Sequence, residues 1–238
     1  MIRLNKYLAQ CGVGSRRSCD QIIADGRVSV NGKTISILGI SIDETLDSVT
    51  VDNKPVAIEK RLVYILLNKP RGFVTTASDE KKRKTVLDLI QQKERLFPVG
   101  RLDIDTEGLL LLTNDGDLSF RLTHPSYQIT KKYFVKVNRS LKPTDVEKLE
   151  SGVMLDDGRT APSKVMLDRY DKANKSLYIT IHEGRNRQIR RMLETLQYRV
   201  IFLKRVQFAN LTLKDVRRGE WRILTEQEIK TIKQLVNL

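Results

Sequence analysis

The chain has 238 residues, of which 40% are hydrophobic and 30% are charged. This composition excludes a wholly disordered chain and fits one or two folded domains. No apolar run approaches the roughly 20 residues of a membrane-spanning helix, and the first residues lack a signal-peptide pattern. Lys and Arg number 43 against 29 Asp and Glu, a formal net charge of +14. We therefore expect a soluble, cytoplasmic protein with a polyanionic partner, nucleic acid ahead of a membrane surface.

The N-terminal residues predict a small module of two helices and a hairpin. Apolar residues recur at i, i+3, i+4 and i+7, the spacing of one helix face, at Leu4, Tyr7, Leu8 and Cys11. Ser15 can cap a second helix that ends near Gly26. The alternating stretch Val28–Val30 then runs into Asn31-Gly32, which is a strong hairpin turn signal.

A domain boundary is predicted where a charged stretch near residues 58–62 precedes an apolar strand. Residues 1–60 then form an N-terminal domain and residues 61–238 a larger one. The positive charge is clustered in both. Residues 1–33 carry six basic and two acidic side chains, and residues 183–222 carry eleven basic and four acidic ones.

The larger part has the pattern of a mixed α+β domain. Apolar runs predict strands at Val63–Leu67, Leu109–Thr113, Tyr133–Val137, Leu177–Ile181 and Val200–Leu203. A short helix is expected at Val86–Ile90, a mobile charged loop at Asp79–Lys84, and a helix that opens near Asn186. Thr225, with Glu228 three residues later, predicts the capping box of a C-terminal helix.

Metal and cofactor chemistry has no support in the residue pattern. His124 and His182 lie far apart and outside any ligand spacing. Cys11 and Cys19 fall on the inward faces of predicted helices, as buried thiols do. The sequence also lacks a glycine-rich phosphate loop and a serine-hydrolase elbow. We expect no metal and no cofactor.

The first candidate site is an acid-rich turn between Gly100 and Gly108, directly before an apolar strand. In an extended chain Arg101, Asp103 and Asp105 share one side of this segment. A carboxylate fixed at the edge of a core strand can act as a nucleophile or a base. A solvated turn with an Arg–Asp pair explains the same spacing and is favoured by spacing alone. Composition does not choose between the two aspartates.

The second candidate site is a predicted strand-to-helix junction with four arginines in seven residues: Arg185, Arg187, Arg190 and Arg191. Such a cluster is usually a charged helix face. At a helix N-terminus, however, each cation opposes the helix dipole by roughly 0.3 kcal/mol or more. A bound anion offsets that cost. The sequence therefore favours a phosphate or carboxylate partner at this junction.

Taken together, the two sites resemble those of the pseudouridine synthases that modify small- and large-subunit ribosomal RNA. The matching stretches, in order, are Leu67–Gly72, Gly100–Asp103, Thr106–Leu110, Thr113–Gly116, Lys132-Tyr133 and Gly184–Met192. The N-terminal module resembles the alpha-L RNA-binding domain through Arg3-Leu4, Lys6, Leu8, Gly12, Ser15–Arg17, Gly26, Val28 and Val30–Gly32. The implied fold is α+β, with this module joined to a mixed, largely antiparallel sheet.

The resemblance implies that a uridine is converted to pseudouridine: the C–N glycosidic bond breaks, the uracil rotates, and its C5 joins the ribose. Asp103 matches the family's nucleophile, and Asp105 does not. Tyr133 matches a tyrosine that stacks on the base, although its position alone would assign it to the core. Arg190 matches an arginine that pairs with the catalytic carboxylate. Arg101 matches a residue that fills the gap left by a flipped-out nucleotide.

The implied partner is a ribosomal RNA stem-loop, and residues 106–127 resemble the large-subunit branch more closely. The basic residues expected at its phosphates are Arg3, Lys6, Arg16, Arg17, Arg27, Lys33, Arg101, Arg185, Arg187 and Arg191. We expect a monomer that does not bind membranes. The alternative is a non-catalytic RNA-binding or ribosome-assembly factor. The presence of Asp103, Tyr133 and Arg190 argues against it.

Overall fold

A computed structural model describes residues 1–59 and 61–238. The chain divides into two compact units. The smaller consists of Met1–Val63 with Lys93–Arg95 and Asn114–Gly116, and the larger of Tyr64–Gln92, Leu96–Thr113 and Asp117–Leu238. The predicted domain boundary falls at residue 60, which lies outside the described residues, so its position stays a prediction.

The smaller unit contains helices α1 (Leu4–Gln10) and α2 (Arg16–Ala24) and several short strands. The strands are β1 (Ile2–Arg3), β2 (Val28–Val30), β3 (Lys33–Ile35), β4 (Ser41–Ile42), β5 (Val49–Val51) and β6 (Lys54–Pro55). The backbone N–H of Ser18 donates to the Ser15 hydroxyl at 3.0 Å, which caps α2. Asn31 and Gly32 have φ of 51° and 78° and turn the chain from β2 into the antiparallel β3. The predicted helices, cap and hairpin are confirmed.

The smaller unit has its own apolar core. Its buried side chains are Leu4, Tyr7, Leu8, Cys19, Ile23, Val28, Ile42 and Val49. Both cysteines are free thiols: Cys19 is fully buried, as predicted, and Cys11 is half-buried. Burial raises the pKa of the Cys11 thiol to about 11. The cysteines therefore serve here as small apolar side chains.

The larger unit contains the remaining strands and helices. The strands are β7 (Tyr64–Lys69), β8 (Phe97–Pro98), β9 (Glu107–Thr113), β10 (Lys131–Val137), β11 (Met154–Leu155), β12 (Gly158–Arg159), β13 (Lys164–Leu167), β14 (Ser176–Ile181), β15 (Val200–Phe208), β16 (Leu211–Thr212) and β17 (Trp221–Ile223). The helices are α3 (Gly116–Thr123), α4 (Pro143–Ser151), α5 (Gln188–Thr195) and α6 (Glu226–Gln234), with 3₁₀ turns at Val86–Leu89 and Pro125–Tyr127.

Most of these strands join one sheet, in the order β13-β14-β10-β15-β9-β7-β17, with β16 beside β15 and β8 beside β9. Neighbouring strands run antiparallel, except that β15 and β9 are parallel. This confirms the expected mixed, largely antiparallel sheet. Every residue of β7 and β9 is buried, because both faces of these two strands are covered, and their sequences are correspondingly apolar on both faces.

Helices α3 and α6 pack on one face of the sheet. Leu109 and Leu111 of β9 share a core with Leu118 and Leu122 of α3 and with Ile232 of α6. Helix α6 begins with the predicted capping box, in which Glu228 N–H donates to the Thr225 hydroxyl at 3.2 Å and Thr225 N–H donates to the Glu228 carboxylate at 2.9 Å. Among residues 1–59 and 61–238, no helix is both long and apolar enough to cross a bilayer.

Some elements differ from the sequence prediction. Strand β15 continues to Phe208 instead of ending at Leu203, and α5 begins two residues after Asn186. Helices α3 and α4 were not predicted. Each has only eight or nine residues and buries one or two apolar side chains, so its periodicity is too brief to recognise. At the charged loop, Arg83 forms an ion pair with Asp79 at 2.7 Å.

The close approach of β9 to β15 requires a glycine. Gly108 has φ of 109°, and a Cβ built on it would overlap the backbone carbonyl of Arg205. We expect Gly108→Ala to lower the free energy of unfolding by about 3 kcal/mol or more. Chemical denaturation measures this, with Gly116→Ala as the matched control, because a Cβ at Gly116 meets nothing within 4 Å. Equal stability of the two variants would contradict the structure at β9.

Candidate active site

The first candidate site forms the wall of a cleft in the larger unit. The cleft has a volume of about 540 Å³ and is lined by residues from several separate segments, among them Arg101, Asp103, Lys131, Tyr133, Arg187 and Arg205. The structure therefore brings together the acid-rich turn, strand β10 and the strand-to-helix junction. Of the three predicted catalytic residues, Asp103 and Tyr133 line the cleft directly.

The backbone that carries Asp103 is a tight turn, not the extended segment considered from the sequence. Thr106 N–H donates to the Asp103 carbonyl at 3.0 Å and closes the turn. The Thr75 hydroxyl donates to the Leu102 carbonyl at 2.7 Å, and Gly72 N–H donates to the Ile104 carbonyl at 2.8 Å. Hydrogen bonds from the chain that follows β7 thus hold the turn from outside.

Lys69, the last residue of β7, holds the same turn from inside. Its side chain is fully buried, and its ammonium donates to the carbonyls of Asp103 at 3.0 Å, Thr106 at 2.9 Å and Pro70 at 3.2 Å. Burial lowers the pKa of Lys69 to about 8, against the opposing attraction of Asp103 and the neighbouring carboxylates. Lys69 lies within a motif of the resemblance, but its position against this turn was not predicted.

Two arginines of the junction approach the carboxylates of the turn. Arg190 Nη2 lies 3.0 Å from Asp105 Oδ2. Arg187 Nη1 lies 3.7 Å from Asp103 Oδ2 and 3.6 Å from Asp105 Oδ1. Among the described residues, Arg190 therefore pairs with Asp105 and not with Asp103, which is the partner that the resemblance implied. The reason is the turn, which places both carboxylates beside the two guanidinium groups.

The other two arginines of the junction bind a neighbouring hairpin. Arg191 makes two contacts of 3.0 Å to the Asp157 carboxylate, at the turn between β11 and β12. Arg185 donates to the carbonyls of Gly158 and Arg159, each at 2.8 Å, and pairs with Glu183 at 3.1 Å.

The sequence favoured a phosphate or carboxylate partner at this junction, and the structure supplies carboxylates of the chain itself. Arg185 and Arg191 hold the loop in place. Arg187, with a left-handed φ of 46°, is the N-cap residue of α5 and projects toward the acid-rich turn.

Tyr133 lies on β10 opposite Ile179 and Arg205 and is 9% exposed. Its position fits both of the roles considered for it, since it is packed in the sheet and also borders the cleft beside Asp103. Arg101 is exposed at the rim of the same cleft. An aromatic ring, a carboxylate and an exposed guanidinium therefore face one space.

Two cations of the cleft, one buried and one half-buried, were missed by sequence reasoning. Arg205 is 2% exposed, donates from Nε to the Leu109 carbonyl at 2.7 Å, and has its Nη2 buried without a hydrogen bond. Lys131 donates to the carbonyls of Ile129 and His182 at 3.1 and 2.9 Å, and burial lowers its pKa to about 8. Lys131 lies before the predicted strand Tyr133–Val137, and Arg205 lies after the predicted strand Val200–Leu203. Both belong to the longer strands of the structure, where a basic residue is ordinarily read as solvent-facing.

The predicted RNA-binding residues of the smaller unit lie mostly at its surface. Arg3, Arg16, Arg17 and Lys33 are exposed, and Lys6 is half-buried. Arg27 differs from the others, because its Nε donates to the Asp52 carboxylate at 2.8 Å. The charge of Arg27 is therefore largely neutralised by Asp52 within the smaller unit.

Comparison with known proteins places the chain in a family. Residues 63–195 match the RNA pseudouridylate synthase model, and residues 2–44 match the S4 domain. The chain belongs to the RNA pseudouridylate synthase family. It is therefore an isomerase that carries an RNA-binding S4 module, which confirms the resemblance and favours an enzyme over a non-catalytic binding protein.

Two relatives and one solved structure extend over nearly the whole chain. Ribosomal large subunit pseudouridine synthase B of Bacillus subtilis (strain 168) is 44% identical over 241 residues, covering 100% of this chain and 98% of that protein. An uncharacterized RNA pseudouridine synthase of Aquifex aeolicus (strain VF5) is 39% identical, covering 100% and 96%. A crystal structure of a pseudouridylate synthase has 28% identity and a TM-score of 0.71, covering 98% of this chain and 100% of that one.

The buried ammonium of Lys69 predicts a pH dependence of stability. The folded protein releases this proton near pH 8, whereas the unfolded chain holds it to about 10.5. Between these values the unfolded state binds more protons than the folded state, so the free energy of unfolding rises with pH. Below pH 8 the amine is protonated in both states, so the unfavourable free energy of burying its charge does not change with pH. Relative to Lys69→Met, the wild-type free energy of unfolding should rise by on the order of 3 kcal/mol across this window.

Urea denaturation at successive pH values measures the difference. Lys172→Met is the control, because Lys172 is exposed and its variant should follow the wild-type pH profile. A constant offset between wild type and Lys69→Met from pH 7 to pH 11 would show that the buried amine does not titrate in this range.

Proposed function

We propose that this protein converts a specific uridine of large-subunit ribosomal RNA to pseudouridine. Asp103 carries the chemical part of the proposal, because it is the carboxylate of the acid-rich turn that lines the cleft. The 44% identity to a large-subunit synthase along the whole chain supports the substrate. We further propose that the protein acts in the cytoplasm as a monomer.

In this proposal Asp103 is the nucleophile. Its side chain is 32% exposed toward the cleft, and its backbone is held by Thr106 and Lys69. The carboxylate either attacks the anomeric carbon of the ribose or removes the C2′ proton. Both routes need an ionised carboxylate at a fixed place, and Arg187 Nη1 lies 3.7 Å from it. No cofactor is needed, since bond cleavage and rejoining involve no net oxidation.

Arg190 is proposed to act through Asp105. It is 8% exposed, and the 3.0 Å ion pair, together with its contact to the Asp105 carbonyl at 3.4 Å, fixes the far end of the turn. Both contacts are made by one nitrogen of the guanidinium, Nη2. Arg190 thereby orients Asp103 instead of touching it.

Tyr133 and Arg101 are proposed to handle the flipped nucleotide. The scissile bond of a stacked uridine is out of reach, so the base must leave the helix. Tyr133 lies where it can stack on that base and take up a proton, and Arg101 lies at the rim, where it can fill the gap left in the helix. Exposed cations of the smaller unit would hold the phosphates of the stem-loop.

The substrate is tested by mapping pseudouridine in ribosomal RNA from cells with and without this protein. Carbodiimide modifies pseudouridine, so that primer extension stops there and identifies the position. One stop in large-subunit RNA that disappears without the protein is the expected result. Loss of a stop only in small-subunit RNA, or in transfer RNA, would overturn the proposed substrate.

The two aspartates of the turn give a matched test of the nucleophile. Asp103→Asn keeps the shape but removes the charge, so tritium release from [5-³H]uridine in ribosomal RNA should fall by about a thousandfold or more. Asp105→Asn should stay within about tenfold of wild type. RNA affinity should be unchanged in both. Equal losses in the two variants would show that the choice of Asp103 is wrong.

Arg16 and Arg17 test the role of the smaller unit. Each is exposed at the start of α2, and removing one phosphate contact lowers the slope of log affinity against log salt by about 0.7 to 0.9. Replacing both with alanine should therefore reduce the slope for ribosomal RNA by up to about two units without slowing the chemical step. Arg27→Ala is the control, because Arg27 already pairs with Asp52. An unchanged slope in the double variant would exclude these residues from the RNA interface.

A further inference from the structure

A row of large side chains crosses neighbouring strands on the sheet face opposite Tyr133. Phe134 of β10 lies directly opposite Tyr178 of β14, which in turn lies opposite Met166 of β13. Directly opposed residues share a face of the sheet, and successive residues of a strand point to opposite faces. Phe134, Tyr178 and Met166 therefore project away from the cleft that Tyr133 lines.

The rings of this row are close together and partly exposed. The centroids of Phe134 and Tyr178 are 5.3 Å apart, and those of Phe134 and Phe202 are 6.1 Å apart. We call Phe134, Tyr178 and Phe202 the aromatic strip. All three are half-buried, and Met166, which continues the row, is 52% exposed. The strip thus presents ring surface to solvent.

Cations border the aromatic strip. The Lys132 ammonium lies 5.0 Å from the centre of the Tyr178 ring, and the Arg71 guanidinium lies 5.0 Å from that of Phe202. Along the strands, Lys204 lies opposite Phe134 and Lys136 lies opposite Phe202. Arg71 also pairs with Glu107 at 3.4 Å. Flat apolar surfaces therefore alternate with positive charges.

One end of the strip adjoins the turn that carries Asp103. Arg71 donates to the Ile201 carbonyl at 3.3 Å and covers the ring of Phe202. The next residue, Gly72, donates its N–H to the Ile104 carbonyl within the acid-rich turn. From this point the strip runs across β10 and β14, away from the cleft. Arg71 and Gly72 thereby connect the Phe202 end of the strip to the acid-rich turn.

This combination of groups suits unpaired nucleotides. Exposed bases stack on aromatic rings, and lysines beside the rings contact the phosphates that connect them. A double helix keeps the faces of its bases stacked, and an acidic peptide has no flat face for each ring. We propose that the aromatic strip binds a single-stranded RNA segment that flanks the target uridine. The inference rests on the proposed function, since it assumes an RNA substrate.

Binding of fluorescein-labelled 12-nucleotide oligoadenylate to the full chain tests the rings. This probe contains no uridine, so its binding is independent of catalysis. The triple variant Phe134→Leu, Tyr178→Leu, Phe202→Leu keeps apolar side chains but removes the rings, and its affinity should fall by about tenfold or more. The matched control is Phe120→Leu with Tyr170→Leu, because these aromatics are 57% and 78% exposed outside the strip. Equal losses in the two variants would overturn the proposal.

A second set of variants keeps the rings and tests the charges, and it remains informative if the triple leucine variant does not fold. Replacing Lys132, Lys136 and Lys204 with glutamine should lower the slope of log affinity against log salt for oligoadenylate by about two units, because each phosphate contact to a single strand contributes about 0.7. The control replaces three exposed lysines elsewhere: Lys172, Lys214 and Lys230. Unchanged affinity and slope in the first set would exclude the strip as an RNA surface.

Tritium release from ribosomal RNA separates this inference from the proposed function. If the wild-type protein is active and the strip variants bind oligoadenylate as it does, the strip proposal alone fails. If the wild-type protein makes no pseudouridine in ribosomal RNA while oligoadenylate binding depends on the strip, the proposed substrate fails and the strip stands as a single-strand binding surface.

Discussion

The ammonium of Lys69 is the group on which the geometry of the cleft depends. It lies fully buried at the end of β7 and donates to the carbonyls of Pro70, Asp103 and Thr106. Burying an ammonium is unfavourable, and for that reason the pKa of Lys69 lies near 8. Three carbonyls and the nearby carboxylates offset this cost. The backbone beneath Asp103 is consequently held from within the core, and the carboxylate stands at a fixed place.

A second constraint comes from the distribution of charge around that turn. Asp103 and Asp105 face Arg187 and Arg190, while Asp157 binds Arg191. Much of the local positive charge is therefore paired with carboxylates of the same chain. These ion pairs order the loops around the cleft and are already formed without a bound phosphate. The number of arginines in a sequence cluster is consequently a poor guide to the number of RNA contacts. Exposed cations without such partners are better candidates for RNA contacts.

Strand β10 contributes to two different surfaces. Tyr133 points into the cleft, and the next residue, Phe134, lies on the opposite face in the aromatic strip. A uridine that leaves its helix also leaves neighbours with weakened stacking. A surface for unpaired nucleotides close to the acid-rich turn would therefore complement a cleft that takes a single flipped base. Because successive side chains of β10 point to opposite faces of the sheet, this one strand contributes to both the cleft and the aromatic strip.

The sequence by itself determined the local structure of this protein. Capping at Ser15 and Thr225, the Asn31-Gly32 turn and the apolar runs in β7 and β9 depend on neighbours within a few residues, so their patterns are visible in the chain. The motifs also indicated the family and its reaction. Short helices such as α3 were missed, because their stability comes from packing on the sheet.

Tertiary structure decided which charges meet. Arg190 pairs with Asp105 because the chain turns at residues 103–106, and no spacing in the sequence encodes a contact across so long a separation. The burial of Arg205 and the partial burial of Lys131 were equally invisible, since a basic residue on a strand has the same pattern whether it faces water or a cleft. Burial and ion pairing depend on which distant segments surround a side chain, and only the folded chain brings those segments together.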